Sequence, residues 1–178
     1  MMHCQLRSGQ VLNIRKAKDE DASIILDYIN KVGTETDNLT FGEGEFGVSE
    51  DEEATIIKTI TKSDNQLMLC AFINGKLVGQ LVFRGGLRPR IRHAGEFGIT
   101  VLKEHWGKGV GNELITCLIT WARESHIIKK INLRVRSDHH NAINLYKKLG
   151  FVVEGTSSRE FLISGQYLDS IHMGLEID

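Results

Sequence analysis

The sequence offers no surplus of charge, no cysteine framework and no long apolar run, and each absence removes a class of function. Lys and Arg total 22 against 23 Asp and Glu, a net charge of −1 over 178 residues. Bulk electrostatic attraction to nucleic acid or to an anionic membrane is therefore not expected. The three cysteines, Cys4, Cys70 and Cys117, have neither metal-ligand nor disulfide spacing. Cys70 lies in an apolar run and Cys117 on a helical pattern, so both read as buried free thiols, and no metal is expected. No apolar segment reaches the length of a membrane span, and Met1 to Gln10 lacks the apolar core of a signal peptide. No repeat or low-complexity linker divides the chain. What remains is a globular composition, 41% hydrophobic and 25% charged, long enough to bury a substantial core. It predicts one domain over 1–178, with 1–10 a flexible or peripheral segment, in a cytoplasmic setting.

The stretch from Glu96 to Val135 organises the chain. Phe97, Ile99 and Val101 alternate as on one face of a strand, and Leu114, Ile115, Leu118, Ile119 and Ala122 recur at helical spacing to about His126. Between them stands Trp106-Gly107-Lys108-Gly109-Val110-Gly111. A glycine turn joining a strand to a helix lets backbone approach a ligand closely. It also presents the unpaired first amides of the helix, and such a turn suits a phosphate or pyrophosphate. Lys108 adds a positive charge beside it. A Walker A loop would need Ser or Thr after Gly107-Lys108, where Gly109 stands. A dinucleotide fingerprint would need different glycine spacing and an acid ending the next strand, which reads Ile131-Asn132-Leu133-Arg134-Val135.

The rest of the chain alternates strands and helices. Val11–Arg15 reads as a strand, and Asp19-Glu20-Asp21 opens a helix that buries Ile24, Ile25, Tyr28, Ile29 and Val32. A glycine-rich loop, Phe41–Gly47, leads to a capping box of Ser49 and Glu52 and a helix with an Ile56, Ile57, Ile60 stripe. Strands Gln66–Ile73 and Lys76–Phe83 are joined by Asn74-Gly75, a two-residue hairpin signal. The loop Arg84–His93 is basic. After the Ile131 strand, Ser137-Asp138 caps a helix carrying Ala142, Ile143, Tyr146 and Leu149, ended by Gly150. Strands Phe151–Thr156 and about Gln166–Ile177 complete an α/β (α+β) pattern: a mixed sheet of about seven strands with helices on both faces.

Trp106-x-x-Gly109-x-Gly111 resembles the pyrophosphate loop Gln/Arg-x-x-Gly-x-Gly/Ala of the GNAT superfamily of acyl-CoA-dependent N-acetyltransferases, with Trp106 in the Gln/Arg place. Asn144-Leu145-Tyr146-Lys147-Lys148-Leu149-Gly150-Phe151 resembles that superfamily's second signature. The two occur in the superfamily's order with one strand between them, and the resemblance runs from about Val11 to the C-terminus.

The resemblance implies direct attack of a primary amine on the thioester of acetyl-CoA in a ternary complex. Backbone at Gly107, Lys108, Gly109, Val110, Gly111 and Asn112 would hold pyrophosphate, and Ile99, Thr100 and Val101 would pair with pantetheine. Where the superfamily often has Asn as a further pantetheine contact, this chain has His139. Tyr146 occupies the position of the proton donor to the leaving thiolate. Glu96 is the best-placed carboxylate for a base, partial burial raising its pKa, and His93 is the alternative. Glu43 and Glu45, between glycines and flanked by Phe41 and Phe46, would draw a cationic acceptor. The basic loop Arg84–Arg92 would reach the adenosine 3′-phosphate or an anionic substrate, or serve as a solvated loop. The implied acceptor is a small amine, a polyamine or an amino-acid-like compound. A protein N-terminal amine, a non-catalytic acyl-CoA sensor module and a homodimer stay open.

Overall fold

The computed structural model describes residues 2–6 and 8–178. Eight strands form one sheet: β1 (Met2–Gln5), β2 (Val11–Lys16), β3 (Gln66–Ile73), β4 (Lys76–Gly85), β5 (Ala94–Val101), β6 (Lys130–Arg136), β7 (Val152–Ile163) and β8 (Gln166–Glu176). The helices are α1 (Ala22–Glu35), α2 (Glu50–Lys62), α3 (Val110–Ser125) and α4 (His140–Lys148). The sheet order is β1-β2-β3-β4-β5-β6-β8-β7. Every pair is antiparallel except β5–β6. The mixed sheet thus has eight strands where about seven are expected. The additional strand is β1, a short edge strand that pairs with Val11–Ile14 and carries part of the peripheral segment.

Alternation along β4 and β5 assigns the faces. Phe83 and Phe97 are cross-strand partners. Phe83 meets Trp121 of α3, and Phe97 meets Tyr146 of α4, with ring centroids 5.6 and 6.0 Å apart. Thr100, of the opposite parity on β5, accepts a hydrogen bond from Tyr28 of α1. Helices α1 and α2 therefore cover one face, and α3 and α4 the other. The predicted α3 stripe of Leu114, Ile115, Leu118, Ile119 and Ala122 is wholly buried, each large aliphatic side chain contributing about 1.5–3 kcal/mol by leaving water. Gly79 on β4 brings that helix in close: a Cβ there would lie 3.0 Å from Val110 and 3.1 Å from Leu114.

Local chemistry sets most boundaries. Asn74 and Gly75 adopt φ of 50° and 77°, the left-handed pair of a type I′ turn. Ser49 and Glu52 form the expected reciprocal cap, with the Ser49 amide donating to Glu52 at 2.8 Å. Two expectations need correction. Strand β7 continues to Ile163 rather than ending at Thr156, because it pairs with β8 through two register shifts and turns at Ser164-Gly165. Ser137 and Asp138 do not cap α4, whose N-cap is His139 without a side-chain bond. Asp138 is instead held by the Arg136 guanidinium at 2.6 and 3.2 Å.

Candidate active site

The site is a fork in the sheet. Strand β5 pairs with β4 from Gly95 to Val101, and β6 pairs with β8 along its whole length. Between β5 and β6 there are only three parallel rungs, the last joining Glu96 to Asn132. Beyond it, Phe97–Val101 and Leu133–Arg136 diverge with their facing edges unpaired by each other. Backbone N–H and C=O groups in such a gap call for a partner, and an extended amide-bearing chain can supply one.

The glycine turn closes the open end of the fork. Gly107 and Gly109 have φ of 70° and 98°, conformations that favour glycine. The first α3 bond runs from the Glu113 amide to the Gly109 carbonyl. The amides of Gly109, Val110, Gly111 and Asn112 therefore precede the helical ladder, and Gly109 gives no side-chain cap. Lys108 is half-buried beside them. Gly111 joins the three parts of the site: a Cβ on it would lie 3.5 Å from Leu145 of α4 and 3.9 Å from Ile99 of β5. Trp106 is committed to the scaffold, its indole N–H donating to the Val101 carbonyl at 2.6 Å. Asn112 directs its side-chain amide to Glu113 at 3.1 Å.

Tyr146 lies beneath the fork, 7% exposed and in edge contact with Phe97 and Phe151. Burial pushes its hydroxyl up to about 12, so the phenol is protonated at neutral pH. The hydroxyl makes no hydrogen bond among the described residues and is not one of their sealed, unpartnered atoms; it remains free to donate. His139 is half-buried at the start of α4. Desolvation and the nearby Arg136 charge depress its pKa, which favours the neutral imidazole.

Glu96 stands at the apex of the fork, but the partial burial expected of it is absent. Its side chain is 46% exposed and accepts from Arg134 at 3.0 Å. Arg134 also donates to Glu160 at 2.6 Å, and Glu160 accepts from the buried Ser170 hydroxyl. His93, the alternative base, lies just outside β5 and three positions before Glu96. It is exposed before the first residue of β5, at the end opposite the glycine turn, and its carbonyl ties down the amides of Lys129 and Lys130. Seven residue steps of about 3.3 Å put the two ends of β5 roughly 23 Å apart. The same separation removes the Arg84–Arg92 loop from the adenosine 3′-phosphate of any cofactor whose pyrophosphate sits at the turn. That loop is packed by Asn65, which donates to the Gly86 and Arg92 carbonyls at 2.9 and 3.1 Å.

A cleft of about 930 Å³ opens between the α1–α2 loop and β7, lined in part by Phe41, Glu45, Lys103, Trp106 and Glu160. Of the predicted acceptor residues it includes Phe41 and Glu45 but not Glu43. Glu45 is partly engaged, accepting from the Gly42 amide at 2.7 Å. Phe41 and Phe46 pack together at 5.2 Å, and Gly42 lies against Gly33 of α1. The loop thus packs on itself and against α1. Sequence reading missed the Arg134–Glu160–Ser170 chain and the buried Glu53 of α2. Neither has a local motif.

A family model described as the acetyltransferase (GNAT) family matches residues 35–151. The chain belongs to that family. Among curated proteins it is similar to an L-amino acid N-acetyltransferase of Escherichia coli, 36% identical over 61% of this chain and 65% of that protein. It is also similar to a spermidine N(1)-acetyltransferase of Vibrio cholerae, 37% identical over 44% of this chain and 46% of that protein. The chain thus matches less than two thirds of the length of either. A GNAT-family acetyltransferase structure from Streptococcus pneumoniae superposes with a TM-score of 0.91 at 34% identity, covering 93% of this chain and 99% of that one.

Proposed function

We propose that the protein transfers the acetyl group of acetyl-CoA to the primary amine of a small acceptor, a polyamine or an amino-acid-like compound, by direct attack in a ternary complex. The observation that carries this reading is the fork: two strands parting after Glu96, a cap of free amides at Gly109–Asn112 and an unpaired Tyr146 hydroxyl between them. The amides and Lys108 suit the pyrophosphate, with Gly107 and Trp106 shaping the turn. The open edge at Ile99, Thr100 and Val101 suits the amides of pantetheine, and His139 borders the far side. The amine nitrogen forms the new C–N bond as the C–S bond breaks, and the sulfur takes the Tyr146 proton, which solvent restores. Glu96 receives the amine's proton directly or through water, and its exposure lets it pass that proton to solvent. The acceptor enters by the cleft at Phe41 and Glu45.

Thiol release from acetyl-CoA, measured against spermidine, L-amino acids and short peptides, tests this. Saturable release with spermidine or a free amino acid is expected. Release with N-terminal peptides alone would favour a protein N-terminal acetyltransferase. Tight acetyl-CoA binding with no amine-stimulated release would favour a sensor module.

A further inference from the structure

The first turn of α2 carries four acids in a row, Glu50, Asp51, Glu52 and Glu53. A favourable helix dipole accounts for acids there, yet the structure separates the fourth from the rest. Glu50 and Asp51 are exposed, and Glu52 closes the cap with Ser49. Glu53 is 2% exposed and lies on the stripe with Ile57 and Ile60 that faces the sheet. Its carboxylate makes neither a hydrogen bond nor an ion pair with any described residue, while its amide donates to the Ser49 carbonyl at 2.9 Å. An ionised carboxylate in that position is costly unless something pairs with it. The charge that acts on it is Arg84 on β4, and its own field reaches Cys70 on β3.

Arg84 pairs in register with Glu96, and Val82 with Gly98. Cys70 pairs with Gln80, which pairs in turn with Thr100. Because Thr100 faces α1, Gly98 and Glu96 share that face, the face that Glu53 approaches from above. Gly98 is bare there: a Cβ on it would meet nothing within 4 Å, and its φ is not left-handed. The strand thus has open space next to the apex of the fork, on the side away from Tyr146.

Resting on the transferase reading above, we propose that Glu53 and the bare face of Gly98 form the pocket for the acceptor's cationic group, the Glu53 carboxylate serving as its counter-ion. A buried carboxylate that no side chain bonds selects a cation, because Arg84 offsets its charge only in part and the ligand supplies the direct ion pair. Gly98 selects for bulk, since any side chain there would fill the space. Together they make the acceptor a cationic amine, and they assign Glu53 to recognition while Glu96 handles the proton.

The test uses the full chain with spermidine and L-leucine as acceptors. Glu53→Gln keeps shape and removes charge, so it should raise the KM of the best acceptor by about tenfold or more. The acetyl-CoA dissociation constant, read by calorimetry, should stay unchanged. Gly98→Leu should raise the same KM and leave acetyl-CoA binding alone. An acceptor KM within about twofold of wild type in either folded variant, a difference worth less than about 0.5 kcal/mol, overturns the pocket. Should wild type acetylate no amine, the transferase reading fails separately, and calorimetric titration with spermidine then decides. Binding lost in Glu53→Gln supports the pocket, whereas equal binding or none to either protein overturns it.

Discussion

The hydroxyl of Tyr28 on α1 donates to Oγ1 of Thr100 on β5 at 3.0 Å, a bond spanning 72 positions in sequence that ties α1 to the free stretch of the forked strand. Tyr28 is buried, and burial raises its pKa well above the ordinary phenol value, so it stays a donor. Tyr28→Phe removes that donor and leaves the Thr100 hydroxyl without it. Urea unfolding should show a loss of about 1 kcal/mol with an unchanged m-value.

Tyr146→Phe tests the proton donor. The ring keeps its contacts with Phe97 and Phe151, and the deleted hydroxyl has no partner in the described protein. Stability should change by no more than about 0.5 kcal/mol. The rate of acetyl transfer should fall by about 10²–10⁴ while acetyl-CoA binding holds. Turnover within a factor of about two would remove Tyr146 from the chemistry.

Gly109→Ala places a side chain at φ 98°, at a cost of roughly 1–2 kcal/mol, or else the turn shifts. Either outcome disorders the free amides, and acetyl-CoA should bind more weakly by calorimetry. Arg88→Ala and Arg90→Ala, at the far end of β5, should leave that affinity unchanged. A loss there would return the basic loop to the cofactor.

Two carboxylates should pull stability in opposite directions with pH. Burial works against ionised Asp21, but hydrogen bonds from Arg15 and the Lys18 amide outweigh it and hold its carboxyl below the usual range. The stability Asp21 gives is complete above about pH 4 and is lost as pH falls through its depressed value. Asp21→Asn should cost about 3–5 kcal/mol at pH 7, with the gap to wild type narrowing in acid. Burial raises Glu53, opposed only in part by Arg84. Its contribution is complete below about pH 4 and declines as pH rises through the raised value. Melting temperatures across that range should show Glu53→Gln gaining on wild type as pH increases.

What could be read from the sequence was local, and what could not was relational. Asn74-Gly75 announced its hairpin because the turn type dictates the residues. Ser164-Gly165 carries similar chemistry, but register shifts after Val153 and Ser157 break the alternation that would have marked its strand. Strand β1 left no periodic signal, as a four-residue edge held by backbone pairing hardly can. The glycine turn and Tyr146 are contained in short motifs. Glu96 could be put on its strand, whereas its exposure depends on where β6 departs and on Arg134 from a distant segment. Glu53 was hidden among neighbours of the same charge, since only the packing of α2 tells the buried acid from three solvated ones.

Sheets commonly end at two edges, and this one has two more facing each other across the fork. Among the described residues the outer edge of β1 is only four residues long, and that of β7 is bent by two register shifts, both ordinary protections against unwanted strand pairing. The inner edge of β5 past Glu96 has neither. It is straight, central and open until a ligand lies along it, so an occupied cofactor site would do for this sheet what a ninth strand would. The ligand-free protein then carries an open strand edge, available to stray peptide pairing, in the same place that the proposed reaction would use.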